Sequence, residues 1–244
     1  MKQNFYRYPW EQFPDVILHA DEKTVKNHES YHAAKTGDPE EAFRLVQCLL
    51  NSACLEKLKC VVATRPIIFV SAHALEKEGV NAIPEAMAEL IGNQLDREVE
   101  HQIVQTNIVS HTKADGFSRL ARQAEFNGKV IPNRIYFLVD DFVGQGGTLA
   151  NLRGWIMKCG GRVAGATVLT GKSYSTKLAI DLTQIDELNS KHGRKLREWW
   201  IDMFGFDYDC LTFSEARYLI RTPTFKRIRD CIIEALEEGD RSEG

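Results

Sequence analysis

The chain has 244 residues, 43% of them hydrophobic and 27% charged, which suits a soluble globular protein with a substantial core. A formal net charge of −3 supplies no general attraction for nucleic acid or for an anionic membrane. No run approaches the roughly 18 apolar residues of a bilayer span, and MKQNFYRYPWEQFPD at the start lacks the apolar centre of a signal peptide, so a cytoplasmic setting is expected.

Taken in chain order, residues 21–35 read as a helix closed by Gly37. Asp38, Pro39, Glu40 and Glu41 then form a strong helix start. The helix is expected to continue through EAFRLVQCLLNSACLEKL, whose apolar positions cover more than one face. Such a stripe fits burial on two sides or a subunit contact, so a homo-oligomer is compatible with it. Of the six cysteines, Cys48, Cys54, Cys60, Cys159, Cys210 and Cys231, none forms a C-x-x-C pair. Cys48 and Cys54 are expected as buried, reduced thiols in this helix.

The middle of the chain alternates between strands and helices. PIIFVS (66–71), HQIVQTNIV (101–109), RIYFLVD (134–140) and RVAGATVLT (162–170) read as strands, with helices at 84–95 and 148–159. This order predicts an α/β fold: a parallel sheet with helices on both faces. In such sheets ligands sit beyond the carboxyl ends of the strands. From residue 180 onward helices dominate. Thr183 with Asp186 reads as a capping box, Gly193 as a break, and 214–220 and 225–238 as two further helices. A single domain, 1–244, is expected, with its core at about 65–172 and helical additions at 1–64 and 173–244.

The chemistry concentrates in FLVDDFVGQGGT (137–148). Gly144, Gly146 and Gly147 allow a tight turn with close approach to backbone amides, and Thr148 stands where a helix begins, a natural anion site. Asp140 and Asp141, one turn earlier, only accept hydrogen bonds when ionised, and vicinal hydroxyls are natural donors to them. A ligand with a phosphate at one end and a diol at the other reconciles the two halves. Ribose 5-phosphate has that form.

This strand, acid pair and glycine turn resemble the ribose-phosphate signature of type I phosphoribosyltransferases, and HAAKTGDPEEAFRLV and VDDFVGQGGTLANLRG resemble a bacterial branch of that superfamily. The resemblance implies a parallel-sheet core and transfer of a phosphoribosyl group from phosphoribosyl diphosphate, with substrate-held Mg²⁺, to a nucleobase-like acceptor. It assigns the ribose diol to Asp140 and Asp141, and the 5-phosphate to Gly144, Gln145, Gly146, Gly147 and Thr148. The diphosphate turn would fall at Ser71, Ala72 and His73, where the family's small residues are missing, and Gly144 and Gln145 stand where the family carries Ser or Thr. A mobile loop, SHTKADGFSRLARQAEFNGKV, would bring Lys113, Arg119 and Arg122 to the leaving group. A non-catalytic sensor of phosphoribosyl diphosphate or a nucleotide, within a larger complex, is the alternative.

Three other patterns carry less. His28-Glu29-Ser30-Tyr31-His32 spells H-E-x-x-H, but the sequence offers no third zinc ligand. Gly171-Lys172-Ser173 fails the Walker A spacing because position 166 is Ala166. Trp155, Trp199, Trp200 and Phe206 read as core aromatics rather than a stacking platform.

Overall fold

The computed structural model describes residues 5–72, 75–76, 79–107 and 115–243. Strand β1 (Ile17–Leu18) precedes α1 (Glu22–Lys26), α2 (Tyr31–Lys35), α3 (Pro39–Leu49) and α4 (Ser52–Ala63). Next come β2 (Ile67–Ser71), the antiparallel pair β3 (Leu75–Glu76) and β4 (Gly79–Val80), α5 (Ile83–Leu95), β5 (Val99–Glu100) and β6 (Val104–Gln105). Helix α6 (Gly116–Ala121), β7 (Phe126–Asn127), β8 (Ile135–Val143), α7 (Gly147–Lys158) and β9 (Arg162–Gly171) follow. Helices α8 (Leu182–Phe204), α9 (Phe213–Arg221) and α10 (Phe225–Glu243) complete the order.

Five strands form a parallel sheet in the order β1-β9-β8-β2-β5. Both faces are covered, which is why β2 and β8 read as nearly continuous apolar runs. Ile68, Val70, Tyr136 and Leu138 pack with Leu149, Leu152 and Ile156 of α7 on one face. Their strand neighbours Ile67, Phe69, Phe137 and Val139 pack on the other face with residues of α3, α4 and α5. A further cluster joins α6 to α8, α9 and α10 around Trp200, Phe204, Leu219 and Ile232. The expected α/β class, with helices on both faces and a helical C-terminal part, is therefore present.

Several boundaries differ from expectation. The helix expected over 21–35 is two, because the chain turns after Asn27 and the His28 ring accepts the Ser30 N–H at 3.2 Å. Side-chain bonds to nearby backbone compete with the helix ladder in this way. The long helix after Asp38 breaks at Leu50, whose ψ is 122°. Asn51 then caps α4 by accepting from Ala53 and Cys54 N–H. The wide stripe was thus two faces of two helices, and Cys48 is exposed while Cys54 is buried.

The strand expected over 101–109 is displaced. Val99 and Glu100 pair with the main sheet, whereas Val104 and Gln105 turn away to meet β7 antiparallel. At α8 the capping box is Asp181 with Gln184, two residues earlier than Thr183 with Asp186. Gly193 does break that helix, with φ of 67°. Trp200 and Phe206 are core residues, as the spacing suggested. The edge strand β1 left no signal, since two residues are too few to show alternation. Among the described residues, no helix is long and apolar enough to cross a membrane.

Candidate functional site

β8 lies inside the sheet between β9 and β2, and it runs three residues beyond the expected end, to Val143. Asp140 and Asp141 therefore belong to the strand, and both are buried. The turn after Val143 leads directly into α7. Gly146 has φ of +82°, and a Cβ there would stand 2.5 Å from Leu178 Cδ2. Any other residue would meet both strain and a clash at this point. The N-cap of α7 is Gly146 itself, so no side chain caps the first-turn amides.

The turn is braced from distant parts of the chain. Thr212 Oγ1 donates to the Gln145 carbonyl at 2.5 Å. Thr212 is the N-cap of α9, in a capping box with Glu215. Glu215 in turn takes two hydrogen bonds from Arg7, at 2.6 and 3.0 Å, in a pair whose side chains are 1% and 2% exposed. Arg7 Nε also donates to Asn151 on α7 at 2.6 Å. A Cβ on Gly147 would lie 3.0 Å from Glu215 Oε1. The N-terminal segment and α9 together form the floor under the glycine turn.

Acid pair and turn enclose one cavity of about 130 Å³, lined by Asp140, Asp141 and Gly144–Leu149 and closed by Arg119, Arg122 and Gln123. Several buried polar atoms around it have no hydrogen-bond partner: Nε of Arg119, Nε of Arg122, Oε1 of Gln123 and Oε1 of Gln145. Unpartnered buried polar atoms are costly to a fold. Arg119 also reaches the turn closely, its Nη1 lying 2.9 Å from where a Cβ on Gly144 would be.

The two acids are in different states. Burial, and then the neighbouring Asp141 charge, hold the Asp140 carboxyl well above the usual carboxylate range. Asp141 is buried too, which works to raise it. The Lys35 ammonium, 2.8 Å from Oδ2, and its hydrogen bond outweigh that and hold Asp141 below the usual range. The two carboxyls are coupled, and Asp140 takes up a proton before Asp141 as pH falls. Lys35, from α2, had no signal in the sequence: it lies 106 residues from its partner.

The other expected residues fall as follows. Thr148 lines the cavity on α7. Ser71 is fully buried at the end of β2, its hydroxyl donating to Glu85 Oε2 at 2.5 Å, and Ala72 is buried beside it. His73 and Lys113 lie outside the described residues. His28 and His32 do not share one helix, and among the described residues they join no group of metal-ligating side chains. The group that does gather is Glu85, Glu89 and His101, in which His101 bonds a carboxylate through each ring nitrogen.

Comparisons with known proteins show similarity without assigning roles to these residues. No family model matches the chain. Protein TraN of Escherichia coli is 38% identical over 232 residues, which is 95% of this chain and 52% of TraN. An uncharacterized protein of Haemophilus influenzae is 37% identical over 153 residues, 62% of this chain and 34% of that protein. The chain thus spans about half or less of the length of these curated relatives. Among solved structures, a hypoxanthine phosphoribosyltransferase from Staphylococcus aureus superposes at 12% identity and a TM-score of 0.35, covering 64% of this chain and 78% of its own. An adenine phosphoribosyltransferase from Thermoanaerobacter pseudethanolicus does so at 13% identity and 0.30, covering 48% and 77%. At these scores the superpositions carry no functional argument, which rests on the site itself.

Proposed function

We propose that this protein is a phosphoribosyltransferase-like protein that binds phosphoribosyl diphosphate and transfers its ribosyl phosphate to a nucleobase-like acceptor. One observation carries the reading: paired carboxyls and an uncapped glycine turn line the same small cavity. Backbone donors at the start of α7 suit the 5-phosphate. Asp141, which Lys35 holds below the usual carboxylate range, accepts from a ribose hydroxyl, while Asp140, held above that range, accepts and, when protonated, also donates.

In the transfer, a bond forms between an acceptor nitrogen and C1 of the ribose as the bond from C1 to the diphosphate oxygen breaks. Diphosphate leaves with the electron pair and takes up the proton that the acceptor nitrogen gives up. Positive charge developing on the sugar is favoured by the Asp141 carboxylate. Mg²⁺ prefers several oxygen ligands. Here burial disfavours ionisation of one carboxyl and Lys35 already pairs with the other, a donor set that suits Mg²⁺ arriving with the diphosphate as part of the substrate. Arg119 and Arg122 provide cationic groups beside the cavity.

A sensor without turnover is the second reading. It is favoured by Lys35 on Asp141 and by the Ser71 hydroxyl being spent on Glu85. Thermal unfolding with ribose 5-phosphate and phosphoribosyl diphosphate, with and without Mg²⁺, tests the shared premise. At a hundred times the dissociation constant, stabilisation of about 2.7 kcal/mol is expected, lost in the Asp140→Asn/Asp141→Asn double variant. Diphosphate release in the presence of acceptors then separates enzyme from sensor. Absence of binding by either phosphate ester under all cation conditions would overturn both.

A further inference from the structure

A second cavity, about 540 Å³, opens on the far side of the glycine turn. It shares Arg119, Phe142, Gly144 and Gln145 with the first, so the two meet at the turn. Its size falls within the roughly 300–1,000 Å³ of small-molecule sites. Six cationic side chains line it, Lys26, Lys35, Arg119, Lys172, Arg217 and Arg221, against a single carboxylate, Glu22. Glu22 is already bonded to both Lys26 and Lys172, and Lys35 is bonded to Asp141. The arginines therefore bring positive charge that the lining does not balance, and a confined excess of one sign concentrates the opposite ion.

Aromatic side chains make up much of the rest of the wall. Tyr31, Phe142, Tyr174 and Tyr218 all line the cavity. The Arg217 guanidinium lies 4.0 Å from the centre of the Tyr174 ring, and Tyr174 is 48% exposed. A guanidinium fixed against an exposed ring offers a flat surface for stacking and a fork of donors for an anion. A neutral base would use the rings and leave the charge unanswered. A bare inorganic anion would do the reverse.

We propose that this cavity binds an anionic aromatic ligand, a planar nitrogen ring bearing a carboxylate or phosphate, and that this ligand is the ribosyl acceptor. The acceptor role rests on the proposed function; the binding itself does not. Calorimetry on the full chain would use four probes: a pyrimidine carboxylic acid, adenosine monophosphate, adenine and inorganic diphosphate. At least one ring anion is expected to bind at least tenfold more tightly than adenine and than diphosphate, and which of the two does so separates carboxylate from phosphate recognition. Arg217→Ala should weaken that binding about tenfold, with Arg217→Lys intermediate, because lysine keeps the charge and loses the planar fork. Ribose 5-phosphate binding should be unchanged in both, which also shows that the variants fold.

Equal affinity for adenine and the ring anions, tighter binding of diphosphate, or indifference to Arg217→Ala would each overturn the proposal. The two readings fail separately. Ribose 5-phosphate bound with no ring anion bound rejects the second cavity's role alone. An Arg217-dependent ring anion bound with no ribose 5-phosphate bound leaves the cavity as a binding site and rejects the acceptor role together with the proposed function.

Discussion

Two buried residues fix how this protein should respond to pH. Burial holds the folded-state Asp140 carboxyl well above the usual range, while an unfolded aspartate loses its proton near about pH 3.9. Above that pH the folded chain holds the extra proton, so stability falls as pH rises toward the elevated folded value, by at most about 1.4 kcal/mol per pH unit. Asp140→Asn removes this penalty. The variant should melt higher than wild type at pH 7 without ligand, and lose ribose 5-phosphate stabilisation; a lower ligand-free melting temperature would contradict the assigned protonation. His19 has the opposite slope. Its Nδ1 accepts the Asn51 N–H at 3.0 Å and Nε2 lies 3.0 Å from Thr167 Oγ1, and burial pulls its pKa down to about 4. Between about 6.5 and 4 only the unfolded chain takes up the proton, so stability is lost on acidification, on the order of 3 kcal/mol in all. Because Asp140 acts in the opposite sense over the same window, the test is by difference: from pH 7 to pH 4 the urea midpoint of wild type should shift downward relative to that of His19→Gln.

Among elements, the brace beneath the glycine turn is the feature that most needs its partners. Arg7 comes from the N-terminal segment, Glu215 from α9 and Asn151 from α7, with 208 residues between the ion-pair partners. Removing one member of a buried pair leaves an uncompensated charge, at a cost of about 3–5 kcal/mol. Arg7→Ala and Glu215→Ala should each destabilise by that order in denaturant unfolding. The double variant should cost much less than their sum, and additive losses would show that the pair is not coupled. This brace also marks where sequence reading stops. The glycine turn, α5, α7, β2 and β9 were legible because caps, glycines and apolar runs are local signals. That β8 continues past Asp140 through Asp141 to Val143 was not, since a carboxylate looks like a strand end until its burial is known. Lys35, Arg7 and Thr212 were hidden for a related reason: their partners lie 106, 208 and 67 residues away, and no period in the chain encodes such pairings.

At the scale of the molecule, the sheet and the C-terminal helices meet at Arg119. α6 packs into the cluster built from α8, α9 and α10, and Phe117 touches Tyr218 with ring centres 4.9 Å apart. Arg119 extends from this helix to the turn that the sheet carries, where it lines both cavities. Under the two proposals a guanidinium in that position faces two anions, one in each cavity. Arg119→Ala should therefore weaken ribose 5-phosphate and the ring anion together, each by roughly ten- to a hundredfold, as expected for loss of a hydrogen bond to a charged group. Arg217→Ala should weaken only the ring anion. Calorimetry of both variants with both probes gives four numbers. A selective effect of Arg119→Ala on one ligand would mean that the cavities adjoin in space without sharing this cation.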